Sequence, residues 1–257
     1  YAATGRYPAA IIPVHLYGMP ADMSRIMAIA SRYDIPVVED AAEALGSTYE
    51  DKFCGTFGKY GALSFNGNKI ITTSGGGALV CPDKESADRV KFLSTQAREN
   101  RPYYYHTTIG YNYRLSNVSA AIGCAQAEEL AQRVERRRTI HTIYTKLLAG
   151  NDAIRVHSEP SGKFKSNFWL STILLDPQKT GITPDELRIA LLERNIETRL
   201  IWRPMHMQPV FENCPFYGNG TGEDIFARGL CLPSGSSLTD GEVHEVADTI
   251  LEIIRNR

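Results

Sequence analysis

A strand–helix–strand unit near the start of the chain sets the tightest limit on its fold. Ala10-Ile11-Ile12-Pro13-Val14 is a short apolar run. Asp22 follows as a helix cap, with Ile26, Ile29, Ala30 and Tyr33 spaced three and four apart. Asp34-Ile35-Pro36 stops the helix, and Val37-Val38 opens a second apolar strand. Strands joined in this way lie parallel, with a right-handed crossover. At 257 residues the chain can bury a large core in one or two domains. The pattern predicts an α/β fold.

The second strand ends at a carboxylate, in Val37-Val38-Glu39-Asp40-Ala41-Ala42-Glu43-Ala44-Leu45-Gly46. Ligands of open α/β sheets sit outside the carboxyl ends of the strands, so Asp40 is expected to face that crevice. A further apolar strand, Ala62 to Phe65, runs into Asn66-Gly67-Asn68-Lys69, and a Gly-rich segment then leads to a strand over Ala78 to Cys81. A lysine just past a strand tip, in a mostly apolar setting, is placed to lose its proton, because desolvation disfavours the ammonium. A neutral amine can condense with a carbonyl as a Schiff base. Pyridoxal phosphate chemistry needs this pairing: a carboxylate that keeps the pyridine nitrogen protonated and a lysine that holds the aldehyde and moves a proton. The triple glycine Gly75 to Gly77 lacks the lysine and hydroxyl that follow the glycines of a P-loop, so it is read as a tight turn beside the cofactor.

Elsewhere the pattern is coarser. His15, just past the first strand, is either a hydrogen-bonded structural histidine or a crevice group. Asp83 to Leu93 reads as a helix, and Arg98 to Thr108 as an irregular segment whose Tyr103-Tyr104-Tyr105-His106 cluster suits core or interface equally. Ser116 caps a long helical stretch with one apolar stripe from Val118, Ala121, Ile122 and Ala125 to Ile140, Ile143, Tyr144, Leu147 and Leu148, ended by Gly150. Arg136-Arg137-Arg138 reads as a solvated face. Residues 1–150 therefore form part of a large domain that ends in a bridging helix. Residues 151–257 form a small α+β domain, with strands over Phe168 to Leu175 and Glu197 to Trp202. Its two helices open on Thr183-Pro184-Asp185-Glu186 and Thr239-Asp240-Gly241-Glu242, both of capping-box form.

A net charge of −1 offers no field for nucleic acid or a membrane surface. No run reaches 18 apolar residues, so no transmembrane helix is expected. The five cysteines are scattered without CxxC spacing, which argues against a zinc site or a disulfide framework and for a reducing, cytoplasmic setting. No signal peptide is visible, and the chain begins at Tyr1 rather than methionine.

The chain resembles the PLP-dependent sugar-nucleotide aminotransferases of fold type I. The resemblance is carried by His15-Leu16-Tyr17-Gly18-Met19-Pro20-Ala21-Asp22-Met23, the Glu39 to Gly46 run, Gly55-Thr56-Phe57-Gly58, the Ser64 to Gly77 run and Gly110-Tyr111-Asn112-Tyr113-Arg114-Leu115-Ser116. Glu43, Ser94 to Glu99 and Leu232 to Gly235 look most like enzymes that aminate C4 of a UDP-linked 4-keto-6-deoxy-N-acetylhexosamine, on the route to bacillosamine-type sugars. The resemblance implies a PLP-transferase fold: a partial large domain with a mixed, mainly parallel sheet, plus a small C-terminal α+β domain. It implies transamination with L-glutamate as donor, for surface polysaccharide or glycan synthesis. It implies Lys69 as the Schiff-base lysine and general acid/base, Asp40 as the pyridinium partner, and Ser64 as a hydroxyl on the cofactor phosphate. Asn112 is implied as a residue given to the phosphate by the neighbouring subunit of a homodimer. Glu43 stands where many relatives have glutamine; it is either protonated there or turned toward the sugar. Arg114, Arg203 and His206 are candidates for gripping the diphosphate or the carboxylates of glutamate.

The family pattern places well over a hundred residues before the His15 segment, including a turn that holds the phosphate, so this chain is expected to match the C-terminal two-thirds and to bind PLP weakly or not at all by itself. That keeps a non-catalytic fragment, acting in binding or assembly, as the alternative. A dehydratase of the same fold carries histidine in place of Lys69. A Rossmann oxidoreductase would need a GxGxxG after the first strand.

Overall fold

The computed structural model describes Tyr1 and residues 5–256. The predicted strand–helix–strand unit is present. Residues 11–14 bridge in parallel to 37–40 through Ile11–Val37 and Val14–Asp40. Between them runs α1 (Met23–Tyr33), whose cap Asp22 accepts the Arg25 N–H. The second strand, β1 (Val38–Asp40), pairs in parallel with β4 (Tyr60–Ser64), which pairs antiparallel with β5 (Gly77–Val80). Between them lie the short strands β2 (Thr48–Tyr49) and β3 (Lys52–Phe53). Helices α2 (Lys84–Ser94) and α3 (Asn117–Glu128) follow, capped by Asp83 and Ser116.

The long helical stretch is not one helix. It breaks at Glu129, and α4 (Leu130–Leu148) follows. The apolar stripe divides there too. Val118 and Ile122 on α3 are exposed, whereas Ile140, Tyr144 and Leu148 on α4 are buried. The expected division at residue 150 also moves. One compact unit comprises Tyr1–Glu135 and Glu159–Trp169; the other comprises Arg136–Ser158 and Leu170–Arg257. The second part of the first unit carries β7 (Phe164–Lys165), which adds to the β3–β2 hairpin as a third strand. Phe164 packs edge-on to Tyr49, within the small core of Met23, Ala30 and Val37. Burying those apolar groups is worth more than keeping the segment with its sequence neighbours.

In the second unit, β6 (Ile154–Val156), β8 (Ser171–Leu175), β10 (Gly229–Leu232) and β9 (Arg199–Leu200) form one antiparallel sheet in the order β6-β8-β10-β9. Its helices are α5 (Pro177–Thr180), α6 (Pro184–Leu192), α7 (Thr221–Arg228) and α8 (Asp240–Arg255). Both predicted capping boxes form, at Thr183/Glu186 and Thr239/Glu242. The strand expected over 168–175 is shorter, because Phe168 adopts a left-handed φ of 44° and interrupts it. The strand expected over 197–202 is confined to Arg199–Leu200. Leu187, Leu191, Val243, Ala247 and Ile250 are fully buried against Ile173, Leu175 and Leu230. Each buried Leu, Ile or Val among them contributes roughly 1.5–3 kcal/mol. The arginine run is not a solvated face. Arg137 is buried, and Arg136 donates to the Leu238 carbonyl and to Asp240.

Cys54 is buried, and burial followed by the nearby Glu39 charge pushes its thiol up to about 12. Cys214 is exposed. At pH 8 a thiol of that strength is about one part in 10⁴ thiolate, so native alkylation should label Cys214 at least about 10³-fold faster than Cys54. Peptide mapping by mass spectrometry reads both sites. No helix among the described residues is long and apolar enough to cross a membrane.

Candidate active site

Because β1 and β4 are parallel, their carboxyl ends lie on one edge of the sheet. Asp40 is in register with Ala62, and Ser64 stands two residues further along. The loops that leave this edge carry the candidate side chains Glu43 and Lys69. Asp40 is half-buried; its Oδ1 accepts the Ala42 N–H at 3.1 Å, and Oδ2 accepts no hydrogen bond from the described residues. The Ser64 hydroxyl accepts the Asn66 N–H at 3.3 Å and keeps its own proton to donate.

Lys69 ends the Asn66 turn, where its N–H bonds the Asn66 carbonyl. Its Nζ lies 3.5 Å from Glu43 Oε1, and each of these side chains is 13% exposed. The other Glu43 oxygen accepts the Tyr17 N–H at 2.7 Å. Glu43 thus faces the lysine, an engagement that neither of its two expected roles contains. The amine also lies 4.3 Å over the ring of Trp169, a residue beyond the reach of local pattern.

The loop geometry depends on a buried carboxylate next to Asp40. Strand alternation turns Glu39 to the opposite face, where it is fully buried. Its oxygens accept the backbone N–H groups of Gly55 (2.7 Å), Phe57 (2.5 Å) and Gly58 (2.6 Å). His15 Nε2 adds a fourth bond at 3.0 Å. His15 Nδ1 accepts the Ala21 N–H, so the proton resides on Nε2 and faces Glu39. Burial raises the Glu39 carboxyl, but His15 and the Gly58 and Gly55 N–H groups outweigh it and hold the group below its ordinary 4.5. His15 is therefore the structural histidine of the two readings.

Asn112 and Arg114 are not brought to the Lys69 cluster. They line a separate cavity of about 680 Å³ with the Gly-rich turn at 73–77 and the cap of α3. Arg203 and His206 belong to the second unit. Arg203 is exposed, while His206 stacks on Phe216 and bonds Glu223 at 2.8 Å.

A lysine amine, a carboxylate with one oxygen unbonded among the described residues and a hydroxyl gather at one end of a mixed sheet, the arrangement of an α/β protein with a polar site at its strand tips. Residues 2–251 match the model of the DegT/DnrJ/EryC1/StrS aminotransferase family, and the chain belongs to that family. It is 47% identical over 253 residues to EpsN of Bacillus subtilis (strain 168), assigned as a pyridoxal phosphate-dependent aminotransferase; the match covers 97% of this chain and 64% of EpsN. It is 39% identical over 248 residues to the GDP-perosamine synthase of Escherichia coli O157:H7, covering 96% of this chain and 66% of that protein. The structure of DesI, solved in the presence of its TDP-sugar product, superposes with a TM-score of 0.89 at 26% identity, covering all of this chain and 65% of DesI. The chain thus spans about two thirds of the length of these relatives.

Proposed function

We propose that the protein is a pyridoxal phosphate-dependent aminotransferase that moves an amino group from L-glutamate to C4 of a nucleotide-linked 4-keto-6-deoxy sugar. The observation that carries this reading is the Lys69 amine, loosely paired with Glu43, at the sheet edge that also presents Asp40 and Ser64. The donor set suits the cofactor. Asp40 Oδ2 is free to hold a protonated pyridine nitrogen, Lys69 to hold the aldehyde carbon, and Ser64 to donate to the phosphate. When bound, the cofactor supplies an electron sink for the bond broken at the amino-bearing carbon. Lys69 Nζ takes the proton from the Cα of glutamate and later returns one to the sugar carbon, with Glu43 beside it to steady the ammonium form. Arg114, which lines the same cavity as Asn112, is the proposed grip for the diphosphate.

Among the relatives, one name specifies a GDP-sugar product and one structure a TDP-sugar product. A nucleotide-linked sugar is common to both, and the UDP-N-acetylhexosamine preference rests on the Glu43, Ser94 to Glu99 and Leu232 to Gly235 resemblance alone.

We further propose that two copies share each site, with Asn112 offered to the phosphate held by the other copy. Around Asn112 the surface is apolar and uncovered: Ile109 is 80% exposed, Tyr113 77% and Val118 73%. Free cysteines fit a reducing, cytoplasmic setting.

The test is an absorbance titration. Protein loaded with excess cofactor should show a visible band that bleaches on adding L-glutamate and returns on adding the accepted sugar from a panel of UDP-, GDP- and dTDP-linked 4-keto sugars. Bleaching by no amino acid would sink the aminotransferase reading and favour a binding role. Sedimentation of the same sample reads the dimer.

A further inference from the structure

Residues Ser166 to Trp169 return to the first unit and run between the two loops that carry Glu43 and Lys69. Each end of this short segment is tied down. The Asn167 N–H donates to Ser47 Oγ at 2.9 Å, and its side-chain amide donates to the carbonyls of Glu43 and Leu45, both at 2.9 Å. Asn167 Oδ1 in turn accepts the Trp169 N–H at 2.8 Å. The indole Nε1–H of Trp169 donates to the Asn68 carbonyl at 2.9 Å. Asn68 is the residue before the lysine, so the indole and the amine hang from the same turn. Gly18 makes room for this lacing. A Cβ there would lie 1.8 Å from Asn167 Oδ1, and its φ is +88°.

We propose that Trp169 is a positioning residue for Lys69: its ring is the surface on which the amine rests, and Asn167 sets how far that surface lies from Glu43. The inference rests on the reading of Lys69 as the reactive amine. The indole is 2% exposed and rigidly hydrogen-bonded. The amine sits 4.3 Å over it and 3.5 Å from the Glu43 carboxylate. An aromatic face attracts an ammonium but offers no acceptor that competes with a substrate for it. Without the ring, a lysine with four side-chain torsions would sample a wide arc. With the ring, the amine is confined between one face and one carboxylate, and an incoming carbonyl meets it in a narrow range of directions.

Two measurements on the cofactor-free protein test this. In a W202F background Trp169 is the only tryptophan of the chain. Replacing Lys69 with Met should change its emission, and replacing it with Arg should preserve the wild-type spectrum. Unchanged emission in K69M would overturn the proposal. The second measurement is the labelling rate of Lys69 by an amine-modifying reagent, mapped by mass spectrometry. W169L should label about fivefold faster than wild type, the factor expected from losing a half-buried cation–π contact. W169F keeps a ring face and should label near the wild-type rate. Equal acceleration in W169F and W169L would mean that the segment had merely loosened, and equal rates in all three proteins would mean that the ring does not hold the amine; either result overturns the proposal. Both readouts are independent of transamination, so they stand apart from the outcome of the glutamate titration.

Discussion

Lys69→Ala should abolish the borohydride-trapped cofactor adduct and lower transamination by at least about 10³-fold. In the proposed function the group removed both anchors the carbonyl and carries the proton, and positioned acid–base catalysis alone is worth about 10²–10⁴-fold. The fold should survive. The Lys69–Glu43 pair is 3.5 Å long with each side chain 13% exposed, so its loss costs on the order of 1–3 kcal/mol. Glu43 also keeps the Tyr17 N–H. Lys69→Arg sharpens the experiment. A guanidinium keeps the charge beside Glu43 but cannot be deprotonated, so it neither condenses with an aldehyde nor accepts a proton. It should be as inactive as the alanine variant at a melting temperature close to that of the parent. The measurements are mass spectrometry after trapping with excess cofactor, glutamate-dependent bleaching and calorimetry. A trapped adduct on another lysine in the alanine variant would remove Lys69 from its assigned place.

What could be read in the chain before its structure was known divides along the range of the forces involved. Helix starts were legible because capping is local. Asp22, Ser116, Thr183 and Thr239 each accept the N–H expected from their position. The parallel arrangement of the first two strands was legible from periodicity, and with it the crevice that Asp40 faces; Ser64 was legible only through the family resemblance. The break at Glu129 was not legible, since neither Gly nor Pro marks it. The return of residues 159–169 to the first unit was hidden because it depends on aromatic contacts from Tyr49 to Phe164, 115 positions apart by subtraction (164 − 49). Trp169 escaped notice for the same reason; its partner Lys69 is a hundred residues upstream (169 − 69). Glu39 could have been found. Alternation places it on the face opposite Asp40, and a strand carboxylate on a covered face needs donors, which the glycines of Gly55-Thr56-Phe57-Gly58 supply as bare backbone.

Replacing that carboxylate gives the largest effect expected on stability. Glu39→Ala should destabilise the first unit by on the order of 4 kcal/mol, because it strands four donors at once: the buried Gly55 N–H and His15 Nε2, and the part-buried Phe57 and Gly58 N–H groups. For a unit of this size, that corresponds to a fall in melting temperature of roughly 10 °C. Glu39→Gln should fall between the variant and the parent, since the amide keeps one accepting oxygen and sets an NH₂ against the remaining donors. The two variants also differ from the parent in their response to acid. The folded-state carboxyl is held below its ordinary value of 4.5. Its contribution is therefore complete above that value and is lost as pH falls through the lower, folded-state value, where the unfolded chain binds the proton more readily. The parent should lose stability steeply on acidification below about pH 4.5. Glu39→Gln carries no proton to bind and should show a shallower slope there, although it is less stable at pH 7. Denaturant titrations at pH 7 and at a series of pH values down to the acid limit measure both effects. Parallel acid slopes for parent and Glu39→Gln would place the titrating group elsewhere. A loss confined to the acid range, with no change at pH 7, would mean that the four donors find water and that the carboxylate does not hold the loop.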